Sequence, residues 1–235
     1  MKFLDFKRQI KKFPVFPTSL LGTLTPKIST LKVQLSVWKK QKKIDSLRKG
    51  LYILSPEERQ VEPSLFYLAN QIYLPSYVSL ESALAYYDLI PEFVATTTSI
   101  TPRKTIRFQN EFGLFTYQHI SPKAYGGFEN KLDLNKLSVL VSLPEKAVAD
   151  FFYLNLSYFN QEDTFIFEES YRLQNCSGLN VRSLRHFAAQ FDSLKLRQVM
   201  ENFIRAVVLK QKKRGKKNRE RTDPKKAATR TKSGA

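Results

Sequence analysis

The sequence is poor in the residues that most often build metal centres and disulfides. Its 235 residues include one cysteine, Cys176, and two histidines, His119 and His186. A single cysteine excludes an intramolecular disulfide and leaves no cysteine cluster for zinc. Neither histidine has a second His, a Cys or an Asp nearby at ligand spacing, so we expect both to be structural. The sequence therefore predicts no metal and no cofactor, and the scarcity of cysteine is typical of the reducing cytoplasm.

Glycines and long apolar runs are scarce as well. The eight glycines never form the Gly-x-x-x-x-Gly-Lys-Ser/Thr loop that cradles phosphates, and Gly126-Gly127 is predicted to be a turn. No apolar run approaches the roughly 18 residues that a membrane-spanning helix needs. The first 13 residues alternate apolar and charged side chains, which a signal peptide does not do. We expect a soluble, cytoplasmic protein with no membrane partner.

Acidic residues are scarce at both ends of the chain. The whole sequence has 39 Lys and Arg against 21 Asp and Glu, a net charge of +18. Residues 1–55 carry +11 and residues 210–235 carry +10, whereas residues 56–209 carry −3. This asymmetry predicts a polyanionic partner for the ends and a different role for the middle. We therefore predict three parts with these boundaries: a basic N-terminal domain, a central domain and a basic tail.

The tail from Lys210 onward has almost no apolar residues. Lys and Arg alternate there with Gly, Asn and Thr, so the segment cannot bury enough surface to offset the entropy of ordering the chain. The sequence predicts disorder for it. Two roles stay open, a solubility segment and an arm that binds polyanions nonspecifically.

The stretch Ser29–Leu54 begins with a predicted basic helix. On a helical wheel, Leu31, Leu35 and Trp38 fall on one narrow arc that would face a core. A row of polar and cationic residues from Lys32 to Lys43 lies about 110° away from that arc. One helix is therefore predicted to carry both an anchoring stripe and a cationic stripe.

A hairpin is predicted directly after this helix. Ile44–Arg48 and Leu51–Leu54 read as short strands, and Lys49-Gly50 between them suits a two-residue turn with positive φ. With one helix predicted in the first 13 residues and another after Pro17, the order predicts a winged helix-turn-helix of about 55 residues. Its predicted DNA-binding residues are Thr30, Lys32, Gln34, Ser36, Lys39, Lys40, Lys43, Arg48 and Lys49.

Lysines on one side of a helix more often mean only a solvated face. Two features favour DNA binding here. The helix contains no acidic residue that could form i,i+4 pairs with its lysines. Arg48 and Lys49 also repeat the positive charge at the hairpin tip, where a wing meets phosphates. The favoured interpretation places the lysine row in the major groove of double-stranded DNA, with Gln34 as a possible base reader if the helix is rolled.

The central region has the pattern of a mixed α+β domain. Helices are predicted over residues 64–73, over residues 80–89 with Ser79 as N-cap, from Pro144 to about Leu156, and from Asn180 or Ser183 to Val208. Strands are predicted at residues 94–98, 104–108, 114–120 and 137–143. The predicted fold class is therefore α+β, with an N-terminal winged helix-turn-helix, an α+β domain and a disordered basic tail.

Three stretches resemble the AbiEi-type antitoxins of bacterial abortive-infection (type IV) toxin–antitoxin systems. Residues 75–92 (PSYVSLESALAYYDLIPE) are similar to the hallmark of the family's second domain, and residues 143–150 (LPEKAVAD) to its PEKA…D helix. Residues 48–52 (RKGLY) are similar to the end of the family's winged helix, and the three matches follow the family's order. Asp88 stands where relatives often have Gly, and the basic tail is not a family fixture.

The resemblance implies a non-enzymatic protein with two activities. The first domain is expected to bind operator repeats in DNA and repress the chain's own operon. The second domain is expected to counteract a nucleotidyltransferase toxin, directly or indirectly. The motif residues of that second domain are Tyr77, Ser79, Glu81, Ser82, Pro144, Glu145, Lys146 and Asp150.

Two other functions stay open, an effector-responsive winged-helix regulator without a toxin and a metal-dependent nuclease. A nuclease needs carboxylates and a lysine converging on a divalent metal, and Glu145, Lys146, Asp150 and the upstream Asp133 raise that idea. However, Glu145 and Lys146 point about 100° apart on a helix. We expect Glu145 to favour the helix N-terminus and Lys146 to pair with Asp150 at i,i+4.

Overall fold

The structure is a computed structural model that describes residues 1–24, 28–159 and 164–214, without the side chain of Ile28. The chain forms two compact units. The first consists of Met1–Val78, Ala95–Ile120 and Phe128–Val141, and the second of Ser79–Val94, Ser121–Gly127 and the chain from Ser142 onward. The mixture of helices and strands predicted for the chain is confirmed.

The elements follow one another in a mixed order along the chain. The helices are α1 (Phe3–Ile10), α2 (Leu21–Leu24), α3 (Ile28–Lys40), α4 (Leu65–Ile72), α5 (Leu80–Tyr86), α6 (Pro144–Leu154), α7 (Val181–Ala189) and α8 (Leu194–Phe203). The strands are β1 (Phe16–Pro17), β2 (Ile44–Arg48), β3 (Leu51–Leu54), β4 (Tyr77–Val78), β5 (Thr97–Thr101), β6 (Ile106–Asn110), β7 (Gly113–His119), β8 (Phe128–Leu132) and β9 (Ser138–Ser142).

The N-terminal part of the first unit packs α1, α2 and α3 with a three-stranded antiparallel sheet of order β1-β3-β2. Leu31, Leu35 and Trp38 are 1%, 2% and 6% exposed, which confirms the predicted buried stripe of α3. The Trp38 ring centroid lies 4.8 Å from that of Phe6 and 5.3 Å from that of Phe3. Because this stripe is buried against α1, the opposite side of α3 faces solvent.

The predicted hairpin is confirmed, but the predicted helix is too long. β2 and β3 pair on either side of the turn at Gly50. Gly50 has φ +80°, which glycine adopts without strain. α3 ends at Lys40, and Lys42 adopts φ +55°. The Lys42 amide then donates to the Lys39 carbonyl at 3.0 Å and the Lys43 amide to the Trp38 carbonyl at 2.9 Å, which closes the helix. Lys43 therefore does not belong to the helical row in which it was predicted.

The first unit also contains a six-stranded mixed sheet of order β6-β7-β5-β4-β9-β8, of which only Ser142 belongs to the second unit. β5 runs parallel to β7 and antiparallel to β4, and β4 runs parallel to β9. The strand predicted at residues 94–98 begins three residues later, at Thr97. All five residues of β5 are buried, and its sequence TTSIT does not alternate apolar and polar residues. The sequence therefore contains no signal for where this strand begins.

The second unit is built mainly from α5, α6, α7 and α8. Asn180 caps α7, since its side chain accepts from the amides of Arg182 at 2.9 Å and Ser183 at 3.2 Å. The predicted cap at Ser79 is wrong, because its side chain makes no capping bond to α5. Asp88, after α5, adopts φ +55°.

The predicted disorder of the tail is wrong for its first residues. Residues 209–214 are helical and continue from α8 through a π-helical turn, Ile204–Val208. Val207 and Val208 are fully buried, which anchors the start of this extension. The rest of the predicted disordered tail, residues 215–235, lies outside the described residues.

We expect Gly127→Ala to lower the free energy of unfolding by about 2–4 kcal/mol. Gly127 has φ +71°, and an added Cβ would lie 2.6 Å from Phe187 Cε1 and 3.0 Å from Lys146 Cγ. The left-handed backbone costs an alanine about 1–2 kcal/mol, and overpacking adds about 1–3 kcal/mol.

The matched control is Gly178→Ala, where φ is outside the left-handed region and an added Cβ has nothing within 4 Å. This variant is expected to stay within about 0.5 kcal/mol of the parent chain. Urea unfolding followed by circular dichroism measures both. Equal stability of the two variants would contradict the packing around Gly127.

Candidate functional site

The outward side of α3 carries the predicted cations. Lys32, Lys39 and Lys40 are exposed along the helix, and the described part of α3 has no acidic residue. Lys49 is exposed at the turn of the β2–β3 hairpin. We call Lys32, Ser36, Lys39 and Lys40 the basic face of α3. Its three ammonium groups can attract a polyanion without a competing carboxylate on the same helix.

The uncharged residues predicted for the interface differ in their availability. Thr30 and Ser36 are exposed, and the Ser36 hydroxyl donates to the Lys32 carbonyl at 3.4 Å. Gln34 is half-buried, and its Oε1 accepts from the Met1 amino group at 3.3 Å. The structure therefore turns Gln34 toward α1 rather than toward the basic face.

Two of the predicted cations are engaged within the protein. Lys43 is half-buried, with Nζ 4.9 Å from the centroid of the Phe3 ring. The Arg48 guanidinium donates to the carbonyl of Ile72, at the C-terminal end of α4, and to the Lys49 carbonyl at 3.0 Å. A cation is favoured at a helix C-terminus, so Arg48 fixes the hairpin while Lys49 remains accessible.

Two carboxylates lie beside the basic face. Burial raises the pKa of Asp45 on β2, although Arg59 opposes the shift. Burial also raises the pKa of Glu111, in the turn between β6 and β7, and the charge of Asp45 raises it further. Both carboxylates interact with Lys39. When ionised, they weaken the positive potential at the Lys39 end of α3.

Sequence reasoning missed two residues on the outward side of α3. Val33 and Val37 are 65% and 44% exposed, although both are apolar. The helical wheel that placed Leu31, Leu35 and Trp38 in the core puts both valines on the far side. The predicted interface contains only charged and polar residues, so it omits both valines.

The motif residues of the first resembling stretch are mostly buried. Tyr77 is fully buried in β4, and its ring stacks on that of Phe128 with centroids 4.7 Å apart. Ser82 is 6% exposed within α5, and Glu81 is half-buried. These side chains therefore lie mainly in the interior of the protein.

Two of the three resembling stretches, residues 75–92 and 143–150, meet in a buried ionic network of the second unit. Lys146 and Asp150 form the predicted i,i+4 pair, and both side chains are fully buried. Ser79 donates to the second carboxylate oxygen of Asp150 at 2.8 Å, and the Lys146 ammonium lies 4.6 Å from the Phe191 ring centroid. Burial lowers the pKa of Lys146, while Asp150 opposes the shift. This network joins the start of α5 to α6.

Glu145 extends the same arrangement to α7. Pro144 occupies the first turn of α6, as predicted, and Glu145 follows it. The Glu145 carboxylate accepts from the backbone amide of Asn180 at 2.8 Å and is 9% exposed. Glu145 therefore links the N-terminus of α6 to the N-cap of α7 instead of facing solvent.

His119, His186 and Cys176 belong to residue types that often act in catalysis, but here each interacts with other groups of the protein or is buried. His119 Nδ1 lies 2.9 Å from the Arg103 carbonyl, and His186 Nε2 lies 3.2 Å from Gln190 Nε2. Burial raises the pKa of the Cys176 thiol to about 12, which leaves it protonated at neutral pH. Within the described ranges, no cluster of three or more His, Cys, Asp and Glu could hold a metal ion. In the same ranges, no helix combines the length and apolarity needed to cross a bilayer.

A surface recess of about 430 Å³ lies in the first unit, between the end of β5 and the start of β6. It is lined by Pro102, Arg103, Lys104, Thr105 and His119. Arg103 is held there, since it donates to the Leu74 carbonyl at 2.8 Å. The recess is open to solvent, and two of its five lining residues, Arg103 and Lys104, are cationic.

We expect Lys146→Met to lower the free energy of unfolding by about 3–5 kcal/mol, because it leaves the Asp150 carboxylate buried without a counter-charge. Lys146→Met combined with Asp150→Leu should lose less than the single variant, since no unpaired charge then remains. Denaturant titrations of both variants measure the difference.

Lys195→Met, on α8, is the control for replacing a helical lysine outside this network, and should change stability by less than about 0.5 kcal/mol. Near-parent stability of Lys146→Met would show that the ammonium group reaches water.

Comparison with the sequence profiles of known protein families finds no match to this chain, and comparison with curated proteins finds none either.

Proposed function

We propose that the protein is a DNA-binding antitoxin that represses its own operon. In this proposal, α1, α2, α3 and the β2–β3 hairpin act as a winged helix-turn-helix. The observation that carries it is the orientation of α3, whose buried stripe of Leu31, Leu35 and Trp38 leaves the basic face exposed to a polyanion. The hairpin that follows presents Lys49 at its turn, where a wing would reach phosphates.

The geometry redistributes the roles proposed for individual residues. Lys32, Lys39, Lys40 and Lys49 are exposed and are proposed to contact phosphates. Arg48 supports this interface indirectly, because its bonds to Ile72 and Lys49 hold the hairpin in place. Contacts of this kind give affinity and register on the duplex but no sequence information.

The antitoxin half of the proposal rests on the sequence resemblance. Two structural features support it. Residues 75–92 and 143–150 meet at Ser79, Lys146 and Asp150, so these two of the three resembling stretches belong to one arrangement. Asp88 also adopts the left-handed backbone that would suit the Gly found there in relatives. We propose that the protein counteracts a nucleotidyltransferase toxin.

Lys39→Ala and Lys40→Ala should each weaken binding to every DNA duplex to a similar extent. Each variant should also reduce the slope of log K against log salt by about 0.9, because one phosphate contact releases about that many counterions. Fluorescence anisotropy with a labelled mixed-sequence duplex, titrated at several KCl concentrations, measures both quantities.

Lys195→Ala is the matched control, since it removes a lysine from α8 of the second unit, and its slope should equal that of the parent chain. If the two α3 variants keep the parent slope, α3 does not contact the phosphate backbone. Absence of binding at the lowest KCl concentration would overturn the DNA-binding proposal altogether.

Coexpression tests the antitoxin proposal separately from repression. The chain and the product of the gene beside its own, which the proposal expects to be a nucleotidyltransferase, are placed under unrelated inducible promoters, and growth is followed. The parent chain should restore growth. A Lys32→Ala, Lys39→Ala, Lys40→Ala variant should do so equally, because its second unit is intact. Failure of the stably folded parent chain to restore growth contradicts the antitoxin function and leaves DNA binding unaffected.

A further inference from the structure

The most unusual surface feature of α3 is apolar. Val33 and Val37 are 65% and 44% exposed, whereas Leu31, Leu35 and Trp38, the other apolar side chains of α3 that the structure describes, are nearly completely buried. The valines are four residues apart, so they neighbour each other on one side of the helix. They therefore form a small, continuous apolar surface on the solvent side of α3.

Folding stability does not account for these valines. A β-branched residue is a weaker helix former than alanine or lysine, and an exposed valine gains little from burial. The core of this part of the protein is filled from the other side of the helix. The two side chains thus weaken the free protein slightly, and contact with a partner is where they could contribute.

The charges around the valines indicate which partner. Lys32 and Lys40 flank them along α3, Lys39 follows, and the helix has no acidic residue. A second copy of the same surface would bring like charges together, whereas a polyanion with apolar groups inside its charged border is complementary. The DNA major groove has that composition, with phosphates at its edges and thymine C5-methyl groups on its floor.

We propose that Val33 and Val37 read thymine methyl groups in the major groove and thereby determine the sequence preference of the protein. The inference rests on the proposed DNA binding and extends it, since it assigns base discrimination to valines rather than to polar side chains. The two valines are about 6 Å apart along the helix axis, close to two base-pair steps of about 3.4 Å. They can therefore contact thymines about two steps apart.

The neighbouring polar side chains are less suited to this role. Gln34 is half-buried, with its carbonyl oxygen directed to the Met1 amino group. The Ser36 hydroxyl is engaged with the Lys32 carbonyl on its own helix. The lysines extend to phosphates, which are the same for every sequence.

The test replaces thymine by deoxyuridine, which removes only the C5-methyl group. Duplexes that bind the full chain are first enriched from a random-sequence library. Each thymine of an enriched duplex is then replaced singly, and affinity is measured for the parent chain and for Val33→Ala with Val37→Ala. For the parent chain, one or two replacements should weaken binding by about fourfold each, the amount expected for one methyl-sized group removed from water. For the valine variant, the same replacements should have no effect.

Leu132→Ala is the control, since Leu132 is 68% exposed on β8 and outside α3. It should keep the parent response to deoxyuridine. The valine variant is expected to remain folded, because alanine favours the helix more than valine does, and circular dichroism checks this.

The outcomes separate this inference from the proposed function. If no duplex is retained from the library, DNA binding itself is wrong and the inference fails with it. If duplexes bind but no deoxyuridine weakens binding, or the valine variant responds as the parent does, the valines do not read thymine while DNA binding stands. A chain that self-associates in sedimentation equilibrium, and loses this association in the valine variant, would assign the surface to a second copy instead.

Discussion

The rotation of α3 about its own axis determines what the N-terminal part of the protein presents to solvent. Leu31 and Leu35 are buried, and Trp38 packs against the rings of Phe3 and Phe6 on α1. Each fully buried side chain of this size stabilises the fold by about 1.5–3 kcal/mol. Turning α3 by a quarter of a turn would expose all three, so core packing, and not the mutual repulsion of the lysines, fixes the direction of the basic face.

A different constraint operates in the second unit, where an ion pair is buried beside an aromatic ring. Lys146 and Asp150 are fully buried, and Ser79 adds a hydrogen bond from the start of α5. A buried ion pair gives little net stability, but each partner strongly disfavours any arrangement that separates it from the other. The close approach of Gly127 to Lys146 shows how little space surrounds the ammonium stem. The resembling residues thus specify an interior geometry, and a toxin would contact other side chains.

Local signals were sufficient for the parts of the fold that depend on neighbouring residues. The apolar spacing of α3 and the turn at Gly50 each involve residues within a few positions, and both were predicted correctly. Ser79 and Arg48 were assigned local or solvent-facing roles, yet their partners are 71 and 24 residues away. No periodicity encodes such distances, so the sequence revealed the pairing of Lys146 with Asp150 but not its complete burial.

Affinity and selectivity require different chemistry on the same helix. Lysines that contact phosphates bind every duplex about equally, so a repressor with only a cationic face would be distributed over all available DNA. Selectivity needs groups that recognise base edges, and these must lie between the cations to reach the groove floor. Val33 and Val37 lie between Lys32 and Lys39 along the length of α3, and their exposure weakens the free helix without a benefit in the core. An exposed apolar pair with lysines before and after it along the helix favours a partner that combines negative charge with apolar groups, and the major groove has that composition.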